Sequence, residues 1–260
     1  MGKIVLITGA SSGIGKEFAE IYAKQQATVV LASRNEDKLV AFATQLHARY
    51  GAKVFVIPVD LSRADGPQLL FDEANRRGLT IDVLINNAGV GTYGFLHERP
   101  IAEELAMLQL NVHSLSHLMM LFTPGMVRRK SGQILNIGST TSFYPCPLSA
   151  NYSASKAFVL YLTEAAANEL RGTGVTVTAL CPGGTGTEFF RSAKMDRQKV
   201  ADAKALMDPR KVAELGVKAL NKRKVVFVPG LQNWLLTQAP RFLPRHWVTR
   251  TTRSVIEQKR

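Results

Sequence analysis

Cysteine is scarce: Cys146 and Cys181 are the only two in 260 residues. A chain of this length can bury a large core, so a disulfide between the two is possible but not required. Sparse cysteine fits a reducing compartment, and a cytoplasmic protein is expected. With 20 glycines and 11 prolines the chain is neither collagen-like nor of low complexity. Long apolar runs are missing, and none approaches the roughly 20 residues that a bilayer-spanning helix needs. The first residues lead almost directly into an apolar, β-branched segment, so no secretory leader is expected. Leu6 stands where a myristoylation signal would need Ser or Thr.

Acid is also in short supply. There are 20 Asp and Glu against 33 Lys and Arg, a formal net charge of +13. The imbalance concentrates between Lys222 and Arg260, where nine basic residues face one acid, Glu257. Such a tail suits an anionic lipid surface, nucleic acid or an acidic partner, or is a solvated face. With no nucleic-acid motif present, no nucleic-acid partner is expected.

What is present is alternation. Apolar strand-like segments fall at Lys3–Thr8, Thr28–Ser33, Lys53–Pro58, Asp82–Asn86, Gln133–Gly138, Val175–Leu180 and Lys224–Val228. Helical patterns fall at Gly13–Gln26, Asn35–Gly51, Gly66–Arg77, Ile101–Arg129, Tyr152–Arg171 and Pro209–Leu220. The strands are continuous apolar runs, as parallel strands covered on both faces are. Strand–helix repeats with right-handed crossovers predict an α/β, doubly wound parallel sheet of the Rossmann type. No linker divides the chain. Residues 1–228 read as one domain, and 229–260 as a basic, aromatic C-terminal extension.

Thr8-Gly9-Ala10-Ser11-Ser12-Gly13-Ile14-Gly15 lies between the first strand and first helix. Glycines there permit a sharp turn and close approach of backbone to a ligand. The helix N-terminus beyond offers unpaired N–H groups to a pyrophosphate. Gly9-Ala10-Ser11-Ser12-Gly13 also fits the nucleophile elbow of a serine hydrolase. That alternative needs a later acid and a histidine to activate Ser11, and His246 in the tail is the only histidine after His117.

Further motifs follow in order: Asn86-Asn87-Ala88-Gly89, Tyr152-Ser153-Ala154-Ser155-Lys156 and Pro182-Gly183-Gly184-Thr185-Gly186-Thr187. Together with the glycine turn, this series resembles the short-chain dehydrogenase/reductase family from about Lys3 to Thr187. Thr185 replaces the usual Val. The resemblance implies a seven-stranded sheet in the order 3-2-1-4-5-6-7 and an enzyme that interconverts a ketone or aldehyde with an alcohol. It implies a homodimer or homotetramer, and a catalytic set of Asn111, Ser139, Tyr152 and Lys156. Cofactor contacts are implied at Gly9, Ser11, Ser12, Gly13, Ile14, Gly15, Asp60, Asn87, Ala88, Gly89, Tyr152, Lys156, Pro182, Gly183, Thr185 and Thr187. Asp60 would meet the adenine, and Thr185 and Thr187 the nicotinamide carboxamide.

The second strand ends Leu31-Ala32-Ser33-Arg34-Asn35. An acid there would bind the adenosine ribose of NAD; Arg34 instead offers a planar cation to the 2′-phosphate of NADP. NADP(H) is therefore expected over NAD(H). Glu36 and Asp37, the other ribose candidates, are placed in the next helix's first turn, where acids suit the dipole.

Tyr152 and Lys156 are four apart, on one helix face. A free tyrosine titrates near pH 10, and a nearby ammonium is expected to lower that. Tyr152 then serves as general acid/base, with Ser139 orienting the carbonyl oxygen. By resemblance, Lys156 also holds the nicotinamide ribose and Asn111 anchors a water. A catalytically silent NADPH-binding regulator is the alternative.

No metal site is expected. His113 and His117 are four apart but have no third ligand and no Glu between them, so they read as helix residues. Cys146 reads as a small apolar lining residue. The segments that line the substrate pocket by resemblance hold Tyr93, Phe95, Leu96, Phe143, Tyr144, Pro145, Leu148, Phe189 and Phe190, so a largely apolar carbonyl or alcohol substrate is expected. In the tail, Trp234, Leu235, Leu236, Phe242, Leu243, Trp247 and Val248 could cover this pocket, form an interface or touch a membrane peripherally. Packing on protein is slightly preferred, because exposed tryptophans invite aggregation.

Overall fold

The computed structural model describes residues 2–189 and 206–257. Phe190 lies outside them. Seven strands run through the molecule: β1 Ile4–Thr8, β2 Thr28–Ser33, β3 Val54–Pro58, β4 Val83–Asn86, β5 Gly132–Ile137, β6 Val175–Leu180 and β7 Val226–Phe227. They form one parallel sheet in the order β3-β2-β1-β4-β5-β6-β7. The described helices are α1 Gly13–Lys24, α2 Glu36–Tyr50, α3 Gly66–Arg76, α4 Ile101–Leu108, α5 Leu115–Arg128, α6 Ala150–Glu169, α7 Pro209–Asn221, α8 Leu231–Gln238 and α9 Arg245–Glu257.

Side chains alternate across each strand, yet both faces are buried. Val5 and Ile7 join Phe18 of α1, Leu39 of α2 and Val217 of α7 on one side. Leu6 between them joins Leu70 of α3, Leu118 of α5 and Val159 of α6 on the other. Two covered faces are why these strands read as unbroken apolar runs. Asn35 accepts a hydrogen bond from the Lys38 amide at 2.9 Å and starts α2. Such a cap contributes about 1 kcal/mol.

β1 pairs with β2 on one side and β4 on the other. Chain order reverses there, and a crevice opens at the carboxyl ends of the two strands.

The structure departs from the sequence pattern in four places. The helix expected at Ile101–Arg129 is interrupted by a π-helical turn, Gln109–Ser114. The last strand shrinks to Val226–Phe227, an edge paired only with Ala179 and Leu180. α6 begins at Ala150, ahead of the expected start at Tyr152. The tail folds into α8 and α9, for which the sequence pattern offered no helical expectation. Residues 101–128 are long and apolar enough, by length and composition, to cross a membrane. Met107, Leu115, Leu118, Phe122 and Met126 are buried in the protein, while Ile101, Leu105 and Met120 are exposed.

Candidate active site

A cavity of about 670 Å³ runs along the crevice. That falls within the range of small-molecule and cofactor sites. Its floor is the turn after β1. Gly9 has a φ of +64°, and a Cβ there would lie 2.9 Å from the Ala88 Cα. A Cβ on Gly15 would lie 2.4 Å from both Asn87 Nδ2 and Gly9 O. The turn therefore closes only with glycine at these places. It is buttressed from β4: Thr8 Oγ1 accepts from the Asn87 and Ala88 amides at 3.0 Å each, and Asn87 Nδ2 donates to Thr8 O at 2.9 Å.

The N-terminus of α1 faces this floor. Ser12 makes no side-chain cap there, and the first turn carries no acid. Its amides and dipole are left for an anion. Ser11, Ser12, Gly13 and Ile14 all line the cavity, and the residues fit a dinucleotide's phosphates.

Ser33, Arg34, Asn35, Lys38, Asp60 and Ser62 line one end. Burial pushes the Asp60 carboxyl up. The Ser62 hydroxyl and amide, with the charges of Arg34 and Arg63, outweigh that and hold it below its ordinary value. Glu36 and Asp37 sit in the first turn of α2 and are not on the cavity wall. Lys38, a second cation here, is missing from the sequence-derived site. Its only signal is that it is a second cation four residues after Arg34, in the first turn of α2.

Beyond the glycine turn the wall carries Ser139, Tyr152 and Lys156. Ser139 follows β5 and caps a short 3₁₀ turn, Thr140–Phe143. Its Oγ accepts from the Thr141 amide at 3.1 Å, and the Ser142 hydroxyl accepts from the Ser139 amide at 3.2 Å. The Ser139 hydroxyl proton remains available, and this hydroxyl acts on the Tyr152 phenol to lower its pKa. Lys156 is buried and donates to Ile137 O at 2.8 Å. Its Nζ lies 5.8 Å from the centre of the Tyr152 ring.

One expectation is corrected here. Burial raises the Tyr152 pKa, and the Ser139 hydroxyl only partly opposes this. The Lys156 ammonium does not prevail, because it faces a backbone carbonyl and is itself desolvated. Burial brings the Lys156 pKa down to about 8.

Asn111 and Gly15 do not line the cavity. Asn111 stands behind Val90, accepting from its amide at 3.1 Å and donating to its carbonyl at 2.9 Å and to Ser155 Oγ at 3.2 Å. The π turn presents it. Such turns are frequent at functional sites, and a helical sequence pattern does not reveal them.

The remaining sequence-derived residues, Asn87, Ala88, Gly89, Pro182, Gly183, Thr185 and Thr187, all line the cavity. The aromatic set does so only in part. Tyr93 and Phe189 do, with the Phe189 ring 5.4 Å from that of Tyr152. Phe143 instead packs against Leu160 and Cys181, Leu96 is exposed, and Phe95 stacks on His97 at 5.7 Å. Tyr144, Pro145 and Leu148 are also off the wall. Pro145 is exposed and Leu148 buried, while Cys146 and Ser149 of the same loop do reach the wall.

Cys146 is buried on the wall, its thiol pushed up to about 11 by burial. Both cysteines are free. The elbow reading lacks its histidine: His246 is exposed on α9 beside Trp247 and is not on the cavity wall. The rings of His113 and His117 are 5.6 Å apart. Among the described residues no group of three or more His, Cys, Asp or Glu side chains could hold a metal ion.

The far end rests on a network without a motif. Glu104 is buried and accepts from Arg99 Nε at 3.0 Å, Asn151 Nδ2 at 2.9 Å and Thr92 Oγ1 at 3.3 Å. It ties the loop that follows β4 to the residue preceding Tyr152. Ile256 of α9 completes the wall from the tail.

The short chain dehydrogenase family model matches residues 3–198. A ketoacyl reductase of Nostoc sp. is 36% identical over 229 residues, covering 87% of this chain and 78% of its own. A short-chain dehydrogenase from Sphingobium yanoikuyae, solved in complex with NADPH, is 30% identical and superposes with a TM-score of 0.84, covering 92% of this chain and 93% of that one. A short-chain dehydrogenase/reductase from Burkholderia phymatum, solved in complex with NAD, is 27% identical with a TM-score of 0.83, covering 93% of each chain. The family match begins at β1 and extends past Thr187, so it takes in the glycine turn, its buttress and the wall of Ser139, Tyr152 and Lys156. The chain belongs to the short-chain dehydrogenase/reductase family and is an NAD(P)-dependent oxidoreductase.

Proposed function

We propose that this enzyme reduces the carbonyl of a largely apolar small molecule with NADPH, using Tyr152 as the proton donor. The observation that carries the reading is the meeting of Ser139, Tyr152 and Lys156 on one wall of a cavity whose other end holds Arg34 and Lys38. When bound, the nicotinamide supplies the hydride that reaches the carbonyl carbon. Everything else falls to the chain. The backbone around Gly9–Ile14 holds the phosphates. Arg34 and Lys38 take the 2′-phosphate, Asp60 the adenine, and Asn87–Gly89, Pro182, Gly183, Thr185 and Thr187 the nicotinamide half.

Tyr152 donates its phenolic proton to the carbonyl oxygen. Its raised pKa keeps it protonated at neutral pH, which suits reduction. Ser139 donates a hydrogen bond to the same oxygen and fixes its position. Lys156 holds the ribose and carries charge below about pH 8. Asn111 positions the Val90 backbone behind the substrate and keeps Ser155 in place.

Tyr93, Cys146, Phe189 and Ile256 make the substrate end mainly apolar. With a ketoacyl reductase among the relatives, 3-oxoacyl thioesters are the first class to test, followed by bulky apolar ketones. The test is loss of NADPH absorbance with purified protein across such a panel. Turnover of apolar carbonyl compounds is expected. NADPH binding with no turnover on any of them would replace this reading with that of a cofactor-sensing protein. Exposed Leu105, Met120, Phe158 and Tyr161 on α4, α5 and α6 offer a face for a second copy. Light scattering is expected to find a homodimer or homotetramer.

A further inference from the structure

α8 and α9 have two unlike faces. Inward, Thr237 and Val248 are buried, and Ile256 forms cavity wall. The Arg253 guanidinium lies 5.9 Å from the Phe95 ring centre and pairs with Glu257 at 2.9 Å. Outward, Leu231, Trp234 and Leu235 form one stripe at helical spacing, followed by Phe242, Leu243 and Trp247. All six are exposed: Phe242 is 84% accessible, Trp234 47% and Trp247 57%. The preference for burying both tryptophans in protein is therefore not met among the described residues. Among the described residues, the buried side chains of the two helices are Thr237 and Val248.

Large apolar side chains exposed one after another along a segment are the informative departure from an ordinary surface. These are interleaved with Arg241, Arg245 and Arg250. Among the described residues no acid pairs with these three, and Glu257, the only acid after Pro229, is taken by Arg253. A second copy docked by two-fold symmetry would set the same arginines against each other. Nucleic acid would use the arginines and leave Leu231, Leu235 and Phe242 without a partner. An anionic bilayer surface takes both kinds of group. Aliphatic and phenyl side chains enter the acyl boundary, tryptophans sit at headgroup level, and guanidinium groups meet lipid phosphates.

We propose that α8 and α9 dock this enzyme peripherally on an anionic lipid surface. Ile256 makes α9 both the docked helix and part of the cavity wall. On the reductase reading above, an apolar carbonyl compound dissolved in the bilayer then enters the cavity alongside α9.

The test uses the full chain with phosphatidylcholine vesicles, with and without phosphatidylserine, at low and high salt. The protein's only two tryptophans are both exposed on this segment, so their emission reads it directly. Co-sedimentation with the anionic vesicles, weakened by salt and accompanied by a blue shift, is expected. Arg241→Ala, Arg245→Ala and Arg250→Ala combined are expected to weaken binding roughly a hundred-fold, from about a five-fold loss per basic residue. Phe242→Ser, at a largely solvated position, is expected to weaken it without changing thermal stability. No co-sedimentation at low salt overturns the proposal, as does equal binding to neutral vesicles. Loss of a dimer in Phe242→Ser, with no vesicle binding in the wild type, gives the face to a second copy. Anionic vesicles are also expected to raise kcat/KM for a lipid-dissolved ketone in the wild type and not in the triple variant. Vesicle binding with no carbonyl turnover would keep the docking and sink the reductase reading instead.

Discussion

The two ends of the cavity are built differently. The cofactor end is made of backbone: a turn that only glycine can close, braced by Thr8 and Asn87, and an uncapped helix N-terminus. The substrate end is made of side chains brought from distant places: Glu104, Arg99 and Asn151, the Phe189 ring, and Ile256 from the tail. A backbone cradle must be spelled by particular residues at particular spacings. A side-chain wall needs only suitable volume and polarity, which many residues supply. The first kind of site leaves a motif and the second does not.

If the ends are independent, damage to one should spare the other. Glu104→Gln is the most severe case. It leaves the Arg99 guanidinium, whose side chain is only 13% exposed, facing a neutral amide, with Glu103 as its remaining acid. Breaking a buried pair from one side costs about 3–5 kcal/mol. Stability in a denaturant titration is expected to fall by about 3 kcal/mol, toward the low end because Glu103 stays. KM for an apolar carbonyl substrate is expected to rise while the NADPH dissociation constant holds. A matching loss of NADPH affinity would mean that the two ends act as one unit.

Tyr152→Phe acts where the ends meet. It removes the proton and little volume. Turnover is expected to fall at least about a hundred-fold, with NADPH affinity retained. A variant that keeps its rate would remove Tyr152 from the proton-donor role.

Legibility in the sequence follows the same division. The seven strands, their parallel packing and the glycine turn were readable, because continuous apolar runs and fixed φ angles constrain residue type directly. So was the wall of Ser139, Tyr152 and Lys156. The protonation of Tyr152 was not, since the outcome depends on where the Lys156 ammonium points and how deeply both groups are buried. The π turn at Asn111 was hidden because its residues keep a helical pattern. Phe143, Tyr144 and Leu148 were misplaced because aromatic and aliphatic side chains serve core and pocket equally well, and only the path of the chain after Ser139 decides between them. Ile256 was invisible: no local pattern tells a tail helix which strand ends it will reach.

Arg34→Asp tests the cofactor end from outside the cradle. It replaces a cation with a carboxylate beside Asp60. The ratio of NADPH to NADH affinity is expected to narrow by about ten-fold or more, the worth of one charge-assisted contact. An unchanged ratio would shift the 2′-phosphate assignment to Lys38, which Lys38→Ala would then test.

The smallest expected effect concerns the price in stability of keeping Lys156 between the two ends. Its folded pKa is lowered to about 8 from an ordinary 10.5. The folded state therefore resists protonation that the unfolded chain accepts. Below pH 8 both states are protonated and the folded state carries the full penalty, roughly 3 kcal/mol from the size of the shift. Between pH 8 and 10.5 the unfolded state binds more protons, so this penalty fades as pH rises. Lys156→Met removes it but leaves Ile137 O without its donor, a loss of about 1–3 kcal/mol. At pH 7 the two effects nearly cancel, and the melting temperatures of wild type and variant are expected to lie within a few degrees. The informative quantity is the change in their difference. From pH 7 to pH 9 the cofactor-free wild type should gain about 1 kcal/mol on the variant, independent of the lost hydrogen bond. Denaturant titrations of both proteins at the two pH values measure it. A constant difference would mean that Lys156 titrates as it does in water, and that its burial exerts no pull on the charge placed beside Tyr152.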